Sequence, residues 1–318
     1  MSEQRNNPIE DNEVTHPNHT NHPNRKVRLA DMSLLLVALL WGAGFIAVQF
    51  SITSGMSTPL ILALRFAIGA AVVFVFKFRT IIKTNRKELL VGLGAGAILF
   101  FSFFMQTLGQ MQTGVSNSAF ITAIYVVIVP FIIWIVKRKA PKLKMFILVF
   151  TTLIGVLVLT YTKGAGLLSF SPGDIYLLLC AVGFAAHIVY LGIAAKDYSP
   201  TRITFIQLLT CAILGTILFF STENPAAIDV DWSIGLPAIL YVGIFSTAVC
   251  YFLQTWAQTI TNTSKAAIIM SAESLFGPLF AILIGFELFK INIVIGGIII
   301  LSSVVLSEIE FKRRRKPL

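Results

Sequence analysis

The stretch FFMQTLGQMQTGVSNSAF at residues 103–120 returns as YFLQTWAQTITNTSKAAI at residues 251–268, and both copies lie inside long apolar runs. Seven of the eighteen positions are identical, among them Gln106 with Gln254, Thr107 with Thr255 and Gln110 with Gln258. Pro130 and Pro278 keep the same offset of 148 residues. An earlier pair, ADMSLLLVAL from Ala30 and GDIYLLLCAV from Gly173, aligns Asp31 with Asp174 at offset 143. The chain is therefore built twice, and whatever solvent suits one half must suit the other.

That solvent is lipid. At 56% hydrophobic and 13% charged residues, 318 residues cannot cover themselves with a water-compatible surface. A bilayer core of ~30 Å needs about 20 predominantly apolar residues per helix. Ten such segments are read at approximately 32–51, 58–77, 89–109, 115–136, 143–161, 174–194, 201–220, 235–256, 265–286 and 290–307. Their continuous apolar character excludes a transmembrane β-barrel, whose segments alternate. Five spans per repeat is an odd number, so the second copy enters the membrane upside down relative to the first. The expected fold is an all-α membrane protein with ten transmembrane helices arranged as two inverted five-helix repeats. Its expected organisation is a disordered cytoplasmic tail over 1–28, repeats over 29–161 and 162–308, and a basic cytoplasmic tail over 309–318.

A formal charge of +10 raises the question of nucleic acid, but the positions of the basic residues answer it differently. With both termini in the cytoplasm, Arg25, Lys26 and Arg28 fall inside, as do Lys77, Arg79, Lys83, Arg86 and Lys87 between spans two and three. Lys137, Arg138, Lys139, Lys142 and Lys144 follow, and KRRRK at 312–316 closes the set. Together with Lys196, Arg202 and Lys265, twenty-one basic residues lie on that side, against Lys163 and Lys290 outside. Such asymmetry is the signature of membrane orientation, so the expected partners are the lipid bilayer and a small-molecule substrate, with no nucleic acid. His16, His19 and His22 are compositional in a polar tail rather than metal ligands. Cys180, Cys211 and Cys250 fall within spans as small packing residues. No zinc spacing, phosphate-binding glycine loop or nucleophile elbow is present, so no cofactor, metal or catalytic residue is expected.

Ionisable groups deep in lipid cost at least ~2.5–3.5 kcal/mol at a helix centre, and three demand an account: Arg65 on span two, His187 on span six and Glu273 on span nine. Glu273 reads either as a proton-accepting or cation-binding carboxylate in a cavity or as half of a buried pair with Arg65. His187 reads either as a substrate-contacting or proton-carrying group or as an imidazole satisfied by a neighbouring helix. Trp41, Phe45 and Gln49 recur at i, i+4 and i+8 and share one face of span one, a stacking surface with an amide at its end. Gln106 and Gln110 share a face of span three, and their mates Gln254 and Gln258 share one of span eight. Inversion would send these pairs toward opposite membrane surfaces, where they read either as gating amides or as interfacial amides that end a span in water. Tyr125 and Tyr190 complete the candidate substrate-binding residues, with Glu273 as the candidate coupling residue.

The sequence resembles the drug/metabolite transporter superfamily in its ten-helix branch with two EamA domains, over about residues 29–308. LLWGAGF at 39–45 is similar to that family's first-helix Trp-Gly motif, AFITAIYVVIVPFIIWIVKRKAP at 119–141 to its fourth helix, and SAESLFGPLFAILIGFE at 271–287 to its ninth. The family often places Pro after the acidic residue of span nine, where this chain has Ser274, and often ends its fourth helix in Glu, where this chain has Lys139. The resemblance implies a multi-pass carrier of the bacterial inner membrane for small polar or amphipathic metabolites, frequently an exporter of amino acids or related compounds. No ATP-binding motif is present, so transport would be secondary, with proton coupling one means of driving it. An uptake carrier for a cationic metabolite or amine is the rival reading, since Trp41, other aromatic residues and Glu273 suit an amine. A membrane-embedded enzyme would need catalytic groups clustered at one depth, and the intramembrane acids and bases are too sparse. A channel would need a repeated filter or charged ring, and nothing here resembles either.

Overall fold

A computed structural model describes residues 25–138, 140, 143–160 and 171–308. The histidines of the N-terminal tail, Lys139, Lys142, Lys163 and the basic C-terminal run lie outside the described residues. Every regular element described is helical. The first repeat contains α1 (Arg25–Thr53), α2 (Thr58–Ile81), α3 (Arg86–Thr113), α4 (Val115–Thr122), α5 (Tyr125–Lys137) and α6 (Leu143–Thr160). The second contains α7 (Pro172–Ala194), α8 (Pro200–Thr222), α9 (Trp232–Tyr241), α10 (Cys250–Gln258), α11 (Thr263–Ser271), α12 (Glu273–Ile284) and α13 (Ile291–Glu308).

Local sequence sets the helix starts. Ser57 accepts a hydrogen bond from the Leu60 amide ahead of α2, with Pro59 in the first turn where its missing N–H costs nothing. Asn85 with Glu88, and Ser171 with Asp174, form reciprocal capping boxes at α3 and α7. Gly114, at φ +94°, ends α3 and opens α4, a left-handed turn that a side chain would strain.

Among the described residues, eight helical stretches are long and apolar enough to cross a membrane. They coincide with expected segments one to four and six to nine. α6 and α13, 18 residues each, occupy the places of the fifth and tenth segments. Three spans depart from a simple rod. Span four divides into α4 and α5, and span nine into α11 and α12, with short turns between. Span eight stays helical throughout, but its middle, Val242–Val249, widens to a π-helical turn between α9 and α10.

Each half is completed by the other. α1 packs on α10 and α12, while its repeat counterpart α7 packs on α3 and α5. α2 lies against α8, and α6 against α13. The absence of a Cβ at Gly42 lets α1 press on Phe276 and Gly277 of α12, and Gly96 likewise admits the backbone of Gln207 on α8. Toward one membrane face, Arg202 of α8 donates to both carboxylate oxygens of Glu88, at 3.0 and 2.9 Å, and to the Thr80 carbonyl at 3.0 Å. The Asn85 and Ser199 amides also donate to Glu88, so one buried carboxylate joins α2, α3 and α8. Lys265 reaches Asp31 at 2.7 Å, with Thr261 donating to the same carboxylate, and ties α1 to the α10–α11 turn. Between the halves, the Ser116 amide at the start of α4 donates to Glu287 Oε1 at 2.8 Å.

Glu88→Ala should destabilise the protein by about 2 kcal/mol, because it leaves Arg202 and two amides without their acceptor. Pairing Arg202→Met with Glu88→Gln should recover part of that loss. Thermal unfolding in detergent checks both.

Candidate functional site

The breaks in spans four and nine fall at matching places. The helix resumes at Tyr125 in the first copy and at Glu273 in the second, and these residues stand 148 positions apart, the offset of the repeat. Both are buried, and both face one central cavity of about 30 Å³. Tyr125 reaches toward the Glu273 carboxyl. The Tyr125 hydroxyl is not engaged in a formed hydrogen bond.

Aromatic rings wall the cavity in matched pairs. Trp41 packs on Tyr251 with ring centroids 5.5 Å apart, and Phe184 packs on Phe103 at 5.0 Å. Trp41 and Phe184 are repeat mates at offset 143, as Phe103 and Tyr251 are at offset 148. Trp41 Nε1 donates to the Ser246 carbonyl at 2.8 Å, within the π-helical turn, where widened spacing frees main-chain acceptors. Arg65 Nε donates to Thr247 Oγ1 at 3.3 Å in the same turn. The guanidinium lies 4.0 Å from the Phe103 ring centroid and 5.2 Å from that of Phe66. No ion pair joins it to Glu273. The buried pair weighed from sequence is therefore not formed, and the two charges instead face the same space separately.

The glutamines carry the repeat into the hydrogen bonding. Gln110 Nε2 donates to the Phe45 carbonyl at 2.8 Å, and Gln258 Nε2 donates to the Ile188 carbonyl at 3.1 Å. Gln258 is the mate of Gln110, and Ile188 that of Phe45, so one bond is made twice. Gln106 Nε2 donates to Thr122 Oγ1 at 3.4 Å. Its mate Gln254 keeps a buried carbonyl oxygen without a donor.

Of the residues singled out in the sequence, Trp41, Phe45, Arg65, Gln106, Gln110, Tyr125, Gln254 and Glu273 come together on the cavity wall. Gln49 stands beside it, accepting from Gln110 at 3.4 Å. His187 is buried one layer behind, with Nε2 2.9 Å from Gln207 Oε1 and its ring 5.9 Å from that of Tyr251. Gln258 is held off the wall by its bond to Ile188, leaving Oε1 buried and unpartnered. Tyr190 packs instead with Ala95, Leu191 and Ile203 beside Gly94. Phe103, Phe184, Ser246 and Tyr251 also line the cavity and were not singled out. Phe103 and Tyr251 head the repeated eighteen residues, so the alignment itself carried a signal for them. Among the described residues, no group of three metal-ligating side chains is assembled, and the three cysteines are free and buried.

Three buried polar atoms on this wall lack hydrogen bonds: Tyr125 Oη, Tyr251 Oη and Gln254 Oε1. A cavity of this size holds roughly two waters or one small polar head group, but no whole metabolite. Tyr125→Phe should therefore leave the unfolding midpoint unchanged or raise it, since it removes an unsatisfied hydroxyl. Gln110→Leu should cost about 1 kcal/mol through its lost bond to Phe45. Thermal denaturation of the two variants side by side separates these outcomes.

The profile of the EamA-like transporter family matches residues 28–161 and again 171–308. An uncharacterized transporter of Archaeoglobus fulgidus is 30% identical over 277 residues, covering 87% of this chain and 85% of that protein. YicL, an uncharacterized inner membrane transporter of Salmonella typhimurium, is 25% identical over 306 residues, covering 90% and 97%. A solved crystal structure at 16% identity superposes with a TM-score of 0.68 over 88% of this chain and 96% of its own, a likeness of fold. The chain belongs to the EamA-like transporter family and is a multi-pass membrane protein.

Proposed function

We propose that this EamA-family transporter is a secondary active carrier that moves small polar or amphipathic metabolites across the bacterial inner membrane by alternating access. Its first role in this reading is export of amino acids or related compounds. The observation that carries the proposal is the meeting of Tyr125 and Glu273 in one cavity, each at the start of a half-helix where its span breaks. Discontinuous helices at a repeat interface are how membrane carriers present polar groups to a solute at mid-depth. The proposed architecture is ten spans in two inverted repeats, 29–161 and 162–308, with both termini cytoplasmic. It is supported by the odd span count per repeat, the exchanged packing of α1 and α7, and the inward placement of basic residues.

In this reading Trp41, Phe45 and Tyr125 contact the solute with Arg65, Gln106 and Gln254. Gln110 and Gln258 break and remake their bonds to Phe45 and Ile188 as access alternates, Gln49 following Gln110. Because the cavity is small, binding a metabolite requires the surrounding spans to part. Glu273 is the proposed coupling group, exchanging a proton as its access changes. Uptake of a cationic amine is the second reading, favoured by a carboxylate without an ion-pair partner beside Trp41 and Tyr251.

Comparing the metabolites of deletion and overexpression cells should identify a cargo whose flux in proteoliposomes saturates and is trans-stimulated. A solute that leaks without saturation would overturn the carrier reading. Glu273→Gln should keep counterflow exchange while losing proton-driven accumulation. Accumulation with unaltered pH dependence in that variant removes Glu273 from coupling. Single cysteines should react from outside near Thr222 and be protected near Asn85, and the reverse pattern inverts the topology.

A further inference from the structure

Arg65 is a buried cation at the centre of a membrane protein, and no acid neutralises it. Its side chain is 2% exposed, its Nε is spent on a neutral hydroxyl, and its flat face lies on Phe103. Aromatic rings offer a cation a weak, undirected attraction, far short of what removal from water costs. A guanidinium kept in this way is complete only when an anion arrives. Its planar donors match a carboxylate's two oxygens.

A second donor waits on the same wall. Tyr251 is 1% exposed and stands close enough to Arg65 to interact with it electrostatically. Its hydroxyl has no hydrogen-bond partner. Burial without a partner is costly for a hydroxyl, so this group too is arranged for something that is not protein. The acceptors of the cavity are Glu273 on α12 and the free Gln254 carbonyl, three residues beyond Tyr251 on α10. The open volume of about 30 Å³ matches a carboxylate head group rather than an entire solute.

We propose that Arg65 and the Tyr251 hydroxyl form an anion subsite that seats the carboxylate of the cargo, so that the transported class is carboxylate-bearing and simple amines are excluded. The proposal rests on the transport reading above and decides between its two versions. Glu273 and Gln254 Oε1 then take whatever donor the cargo carries at its other end, such as an ammonium or hydroxyl. A cation alone would find Glu273 but would leave Arg65 unneutralised and bring a second positive charge beside it, an arrangement the low-dielectric interior penalises.

Four probes share one branched hydrocarbon tail and differ in the head group: leucine, 4-methylpentanoate, leucinamide and 3-methylbutylamine. The full-length protein in nanodiscs, titrated with each while its unfolding midpoint is followed, should respond to the two carboxylates and not to the amide or amine. Tyr251→Phe keeps the ring contacts and should weaken the carboxylate response roughly tenfold, the worth of one charge-assisted hydrogen bond. Arg65→Lys keeps the charge and should weaken it less than Arg65→Gln, which should abolish it. If Arg65→Gln does not fold, Tyr251→Phe and the head-group comparison carry the test alone. A response to amines only, no response to either carboxylate, or carboxylate binding unchanged in Tyr251→Phe overturns the subsite. Failure of the transport reading would look different: carboxylate binding would persist, with no trans-stimulated flux of any solute.

Discussion

In hydrocarbon, each backbone N–H and C=O must find its partner inside the protein, and that requirement governs where this chain can interrupt its helices. Spans four and nine both break, and at both breaks tight main-chain bonds take over. Ile124 donates to Ile121 and Val126 to Ala123 in the first copy; Ala272 donates to Ile269 and Leu275 to Ala272 in the second. Such turns survive at this depth because neighbouring helices surround them. The reward is a change of direction that aims Tyr125 and Glu273 into shared space, which an uninterrupted helix wound past the centre would not provide.

The same requirement explains why neither half holds a site alone. α1 needs α10 and α12 to complete its surface, and α7 needs α3 and α5. Gln110 and Gln258 make one bond twice, each within its own copy, while Glu287 of the second copy accepts the Ser116 amide at the start of α4 in the first. The cavity forms where these exchanged contacts meet.

Upon this matched scaffold the two copies differ in chemistry. Tyr125 faces Glu273, Phe184 takes the place of Trp41, and Phe103 that of Tyr251. The π-helical turn at Val242–Val249 belongs to the second copy, whereas the equivalent part of α3 is regular helix. That turn supplies the Ser246 carbonyl to Trp41 and the Thr247 hydroxyl to Arg65. Matching backbones give a frame that can rock between halves, and mismatched side chains give it something to recognise. Asp31 and Asp174 show the same divergence at the edge. The first is paired to Lys265, while the second is spent on a helix cap.

The helical class, the membrane and the doubling follow from the sequence alone, because apolar run length and a fixed offset are one-dimensional facts that lipid converts directly into helices. Family motifs and the rarity of ionisable residues also pointed to Trp41, Arg65 and Glu273 before any contact was known. Tertiary structure decided which of them meet, since that depends on how helices rotate and cross. Arg65 lies against Phe103 rather than Glu273, Tyr190 turns to the α3 surface, and His187 withdraws behind Tyr251 to bond Gln207. The break before Tyr125 and the π-helical turn carry no strong local signal either. Ala123 and Ile124 are ordinary helix formers, and only packing against the opposite half makes an interrupted backbone there more stable than a continuous one.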